Sequence, residues 1–289
     1  MKVMRYWGRG TAEATDRKGG RFPVSCWRGS ETSRAEAERL AREAALAVAQ
    51  QVSRDGCWPD RYGYADHPLR EEIVRQLLGE GATCPAVITR NSYGSLILNT
   101  AQVMFADLDF PAAAQHEGLV AGLKRLLGQK IPSASEQAEA TMLARVMAWV
   151  TANPPWGMRV YRTAAGLRCL VTHAPVAPDP DSTRGVMDAL GSDPLYVRLC
   201  RAQKSFRARL TPKPWRCGQP MPPRPFPRTD TNAQWAFRDW EARYAQACRN
   251  YATCRLLARL GNAAIHPEIE PLVTLHDEMT GVSTPLPLA

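Results

Sequence analysis

Gln102-Val-Met-Phe-Ala-Asp107-Leu-Asp109-Phe110 is the stretch on which the reading of the chain turns. It starts as an apolar run and ends in two acids one residue apart. Side chains at i and i+2 share one face of a strand, so Asp107 and Asp109 project together from its end. Two carboxylates held that close repel each other unless a cation lies between them. Mg²⁺ and Mn²⁺ take oxygen ligands of this kind and are often shared with substrate phosphates. A strand end capped by two solvated acids has the same pattern.

Outward from this strand the periodicity assigns the elements. A helix is expected over 134–152, broken by Asn153-Pro-Pro155. Met158–Thr163 and Leu167–Thr172 form a hairpin turning at Ala164-Ala-Gly166. A helix over 183–204 follows, interrupted near Gly191–Pro194, and then a short strand, Ser205–Leu210. The order from residue 101 is strand, helix, strand, strand, helix, strand. The predicted class is therefore α+β, with an RNA-recognition or ferredoxin-like β-α-β-β-α-β core: a four-stranded antiparallel sheet with helices on one face. Ala86–Thr89, Ser95–Leu98 and Gln102–Asp109 read together as a small meander.

Three segments are predicted: an amino-terminal α/β extension (1–84), the core (85–218), and a Pro-rich connector with a helical carboxy-terminal segment (219–289). In the first, residues 1–20 read as irregular and Phe22–Trp27 as a strand. Ser33-Arg-Ala-Glu36 opens an Ala-rich helix that Asp55-Gly56 stops. Pro68 opens a second helix to Leu78, ended by Gly79. In the last segment, five prolines between Pro220 and Pro227 make an extended connector. A helix over 232–260 carries Trp240, Tyr244, Ala247, Tyr251 and Cys254 as a core-facing stripe. A short helix is expected over 267–279.

The charge has an address. The chain of 289 residues carries 37 Lys and Arg against 28 Asp and Glu, a net +9. Pro194–Thr229 contains no acid and nine basic residues, so the remainder is formally neutral. Such a patch points to an anionic partner, either nucleic acid or a nucleoside triphosphate. Arg207 and Arg209 alternate on the short strand, and Lys213 and Arg216 follow on a proline-fixed loop. Interleaved with Tyr196, Phe206, Trp215 and Phe226, they suit phosphate contacts with base stacking. Aromatics in the core behind a solvated basic face would read the same way.

The hairpin adds Thr163 at the turn, Arg168 on the returning strand and His173 at its end. Arg168 can grip a phosphate bidentately. A stable hairpin with a surface arginine and a structural histidine is the alternative. No apolar run approaches the roughly 20 residues of a membrane span, and no h-region follows Met1–Trp7. The eight cysteines show neither Cys-x-x-Cys nor zinc-finger spacing, as in a cytoplasmic protein with reduced, mostly buried thiols.

The element order and Phe105-Ala-Asp107-Leu-Asp109 resemble the archaeo-eukaryotic primase (primase-polymerase) superfamily over about residues 85–216. Thr163-Ala-Ala-Gly166-Leu-Arg168 resembles that family's hairpin motif, with Arg168 where the family carries a histidine. Asn91-Ser-Tyr-Gly94 and the segment from Arg207 to Trp215 also resemble uncharacterised bacterial proteins. The resemblance implies a metal-dependent nucleotidyl- or phosphoryl-transfer protein acting on nucleic acid or nucleotides. Asp107 and Asp109 would hold Mg²⁺ or Mn²⁺, and Arg168 and His173 would be the further catalytic candidates. Thr163, Arg207, Arg209, Lys213 and Arg216 would contact phosphate. The alternative is a non-catalytic nucleic-acid-binding module, or a phosphate-binding or scaffold protein, on the same fold.

Overall fold

The protein is described by a computed structural model that covers residues 1–58, 67–78, 85–112 and 132–289. Gly79 and Cys84 fall outside the described residues. The class is mixed α and β, with three antiparallel sheets.

The amino terminus is a hairpin, not an irregular lead. β1 (Tyr6–Thr15) pairs along its full length with β2 (Arg21–Ser30). Helix α1 (Arg34–Asp55) packs on it. The Ser33 hydroxyl accepts from the Glu36 amide at 3.1 Å, capping the helix, and Gly56 ends it in the left-handed region at φ 66°. The Glu36 carboxylate does not close a capping box; it accepts from Ser30 and Thr32 instead. Ala37, Ala41, Ala45 and Ala49 make the buried stripe. They match Gly8 and Gly10, where a Cβ would lie 2.3 Å and 2.2 Å from the helix backbone. Small residues on both sides let the hairpin and helix touch.

The other two sheets form the body. One runs β3 (Glu72–Leu78), β4 (Ala86–Arg90), β5 (Leu96–Thr100), β9 (Phe206–Arg209). The other runs β10 (Cys254–Gly261), β7 (Gly157–Thr163), β8 (Gly166–Val171), β6 (Phe105–Asp109). Three expectations change here. Residues 72–78 form a strand where Pro68 and Gly79 bounded a predicted helix; Glu72 to Leu78 pair antiparallel with Arg90 to Ala86. The predicted helix over 232–260 stops at Cys248 (α5, Thr231–Cys248), and Cys254–Gly261 becomes an edge strand beside β7. The predicted meander splits, because β4 and β5 pair with each other while β6 belongs to the other sheet. Sheets also cross the boundaries drawn at 84/85 and 218/219, since β3 pairs with β4 and β10 with β7.

The fourth strand of the predicted core, β9, hydrogen-bonds to β5 and lies beside β6 without joining it. Tyr196 explains the gap. From helix α4 (Pro194–Gln203) its hydroxyl donates to the Arg207 carbonyl at 2.9 Å and lies 3.2 Å from the Phe105 carbonyl. It also accepts from the Arg207 amide at 3.2 Å. A side chain thus occupies the place of ladder bonds between β6 and β9.

Both faces of the β10-β7-β8-β6 sheet are covered. Ala106, Leu108, Val160 and Cys169 face Val146 and Val150 of α2 (Ala134–Ala152) and Leu190 of α3 (Asp181–Leu190). Phe105, Tyr161 and Leu170 face Ile88, Leu98 and Phe206 of the second sheet, with Leu272 and Val273 of α6 (Glu270–Thr280). The second face is closed by β4, β5, β9 and the carboxy-terminal helix, with only part of the cover coming from the first 100 residues. The stripe from Trp240 to Tyr251 packs with Cys217, with the rings of Trp240 and Tyr244 stacked at 4.9 Å.

Candidate phosphate and metal site

A single cleft gathers Asp107, Asp109, Thr163, Arg168, Arg209, Lys213 and Arg216. These residues come from four strands, β6, β7, β8 and β9, and from the loop after β9. The register places Asp107 opposite Arg168 and Asp109 opposite Gly166. Gly166 is required there, because a Cβ would lie 2.0 Å from the Leu108 carbonyl oxygen. The Thr163 hydroxyl donates to the Gly166 carbonyl at 3.1 Å and closes the turn. Lys213 caps, and Arg216 lies within, a 3₁₀ turn, Pro214–Cys217, that Gly218 ends at φ 73°.

Arg168 is the buried centre, 4% exposed. Its Nε donates to Asp107 Oδ1 at 2.9 Å and its Nη1 to the Arg209 carbonyl at 2.9 Å. Nη1 also lies 3.4 Å from His276 Nε2. Burial lowers the Arg168 pKa, but the charge and hydrogen bond of Asp107, together with Cys254 and Tyr196, raise it, and the net shift is upward. His276 Nδ1 lies 3.0 Å from Asp277 Oδ1, which accepts from the Tyr161 hydroxyl at 2.7 Å. Arg159 pairs with the same carboxylate. A polar chain therefore runs beneath the cleft from Asp107 through Arg168 and His276 to Asp277. Sequence reasoning missed His276 and Asp277, because nothing in a short helix 170 residues after Asp107 marks them as neighbours. Their signal was a His-Asp pair beside apolar Leu272 and Val273.

Like charges are crowded at the rim. Burial raises the Asp109 pKa, and the negative charges of Asp107 and Asp193 raise it further. Burial and then the charge of Arg168 lower that of Arg209. Burial, Arg209 and Arg216 lower that of Lys213, and burial lowers that of Arg216. Asp109, which resists charging, stands beside cations that resist charging. A cation near the acids and an anion near the bases would relieve both.

Two predicted residues lie elsewhere. Arg207 is buried and pairs with Glu71 at 2.7 Å and with Asn99, so it is not available to phosphate. His173 follows the far end of β8, where its ring packs on Trp156 at 4.7 Å, and it does not line the cleft. Tyr196 and Phe206 are core, as the alternative reading had them. Trp215 is half-exposed beside Lys213, edge-on to Tyr93 at 5.4 Å.

Asp107 and Asp109 provide two carboxylates, one oxygen of which Arg168 occupies. No group of three His, Cys, Asp or Glu able to hold a metal exists among the described residues. The donors therefore fit an ion that brings most of its ligands with it, as Mg²⁺ does when it arrives on phosphates. Among the described residues no helix is long and apolar enough to cross a membrane. No protein-family model, curated protein or solved structure matches the chain.

Proposed function

We propose that the chain is a nucleotide- or nucleic-acid-binding protein of primase-polymerase type, whose cleft takes a phosphate group together with Mg²⁺ or Mn²⁺ and performs nucleotidyl or phosphoryl transfer. The observation that carries this reading is the convergence of Asp107 and Asp109 with Arg209, Lys213 and Arg216 in one cleft. The β6-β8-β7 order with α2 and α3 on one face supports the RNA-recognition-type core; β9, beside β6, would be its displaced fourth strand.

In this reading Lys213, Arg216 and Arg209 hold the phosphate oxygens, and Asp109 with the free oxygen of Asp107 faces the ion. The ion would supply charge neutralisation at the phosphate. Arg168 fixes the Asp107 rotamer from below. Trp215 offers a ring face to a base beside Lys213, whose ammonium lies 5.5 Å from the ring centre.

The buried Asp107–Arg168 pair favours a second reading, a binding module without catalysis, because it ties up one of the two acids. Titration with a fluorescent nucleoside triphosphate, with and without Mn²⁺, tests the site. Lys213→Ala with Arg216→Ala should weaken binding about a hundredfold, since two charge-assisted contacts of roughly 1.5 kcal/mol each are lost. Asp109→Ala should remove the Mn²⁺ enhancement. Unchanged affinity in the first variant sinks both readings. Labelled-nucleotide incorporation on primed and unprimed DNA then separates transfer from binding.

A further inference from the structure

A cavity of about 500 Å³ lies between the amino-terminal hairpin and Phe226–Thr229, and it shares no residue with the cleft. Both sides of β1 line it, with Arg34 and Glu38 of α1 on one of them. Gly8 and Gly10 meet the backbone of α1, so Trp7 and Arg9 project from the opposite side of the strand, with Arg5 just before them. On β2, Trp27 stands opposite Arg9. The Arg70 guanidinium covers Trp27 at 4.9 Å. Tyr6, on the α1 side of the strand with Gly8 and Gly10, and Phe226 complete the aromatic lining around the strand's end.

The charges are unequal. Arg34 pairs with Glu38 at 3.0 Å and Arg228 with Glu72 at 3.0 Å. Arg9 donates to the Ser25 hydroxyl at 3.0 Å, and neither Arg5 nor Arg9 has an acidic partner among the described residues. The Trp7 indole N–H is buried without a hydrogen-bond partner, a condition that costs free energy until an acceptor arrives.

We propose that this cavity holds an unpaired nucleotide of single-stranded nucleic acid, its base against the rings of Tyr6, Trp27 and Phe226 and its phosphates on Arg5 and Arg9. The volume falls within the usual range for small-ligand sites. Every base has a face to stack on an aromatic ring, so the site is tolerant of sequence. Trp7 supplies a donor for a base or phosphate oxygen. An acidic peptide would answer the arginines but leave the rings without a planar partner.

Fluorescence anisotropy with a labelled dT12 oligonucleotide tests this. Arg5→Ala with Arg9→Ala changes two exposed side chains and should lower affinity about tenfold or more. It should also reduce the slope of log K against log salt by about 1.4, because two phosphate contacts are lost. Tyr6→Ala should lower affinity about fivefold or more with the slope unchanged. Lys213→Ala with Arg216→Ala serves as control: the effect of Arg5 and Arg9 persists in that background whether or not the cleft binds triphosphate. The proposal is overturned if dT12 fails to bind, if the Arg5 and Arg9 variant binds it as the parent does, or if polyglutamate of equal charge competes equally well.

Discussion

At the residue scale, the two acids of β6 behave differently although sequence treats them as twins. Asp107 neutralises a buried arginine, whereas Asp109 meets mostly like charge and reaches solvent. Asp107→Asn should therefore destabilise the fold by about 3 kcal/mol, because removing one partner leaves a buried charge uncompensated. Asp109→Asn should leave stability at neutral pH unchanged or raised, since its raised pKa means that the folded state disfavours the charged form. Urea denaturation of the two variants checks the contrast. His276 adds a pH dependence. Burial lowers its pKa from the ordinary 6.5, so below about 6.5 the unfolded chain takes up a proton that the folded one refuses. Stability is lost as pH falls through that window. His276→Gln should flatten the stability profile between pH 7 and 5, measured by denaturant midpoints across that range. The loss below pH 4 should shrink but persist, because the Asp277 carboxyl is held low by His276 and also by Tyr161 and Arg159, which the substitution leaves in place.

At the element scale, local chemistry was legible where a cap or turn decides the outcome. Ser33 and Gly56 bound α1, Gly191 separates α3 from α4 in the left-handed region, and Gly166 turns the central hairpin. It failed where partners decide. Glu72–Leu78 and Cys254–Gly261 mix charged and apolar residues in patterns that a helix also accepts, and only the waiting edges of β4 and β7 make them strands. Gly8-Arg-Gly10-Thr-Ala-Glu13 looked irregular because its glycines answer a helix approaching the hairpin, which one sequence window cannot show. Gly8→Ala and Gly10→Ala should therefore each cost about 1–3 kcal/mol through overpacking against α1. Gly19→Ala has open space but a φ of 83°, so its smaller cost comes from backbone conformation alone. Thermal unfolding of the three variants ranks them, and equal losses at Gly10 and Gly19 would contradict the packing account.

At the scale of the whole molecule, folding redistributes the basic stretch read in the sequence. Arg201 pairs with Asp181, Lys204 with Asp179, Arg207 with Glu71 and Arg228 with Glu72, all outside Pro194–Thr229. Three members, Arg209, Lys213 and Arg216, gather at the cleft beside the acids. Two more cations, Arg5 and Arg9, come from a segment that sequence reading set aside. Charge counting thus points to an anionic partner in general but not to its footprint, because the acids that pair with four of the nine lie outside the stretch in sequence and beside it in space. The footprint makes a numerical prediction. Each phosphate contact to a single strand contributes about −0.7 to the slope of log K against log salt, so five cations give about −3.5 and the nine of the sequence patch about −6. Salt titration of an oligonucleotide long enough to reach both the cleft and the hairpin cavity measures that slope. A value near −6 would mean that Arg201, Lys204, Arg207 and Arg228 leave their carboxylates to engage the strand, and the division of the patch into paired and ligand-facing cations would then be wrong.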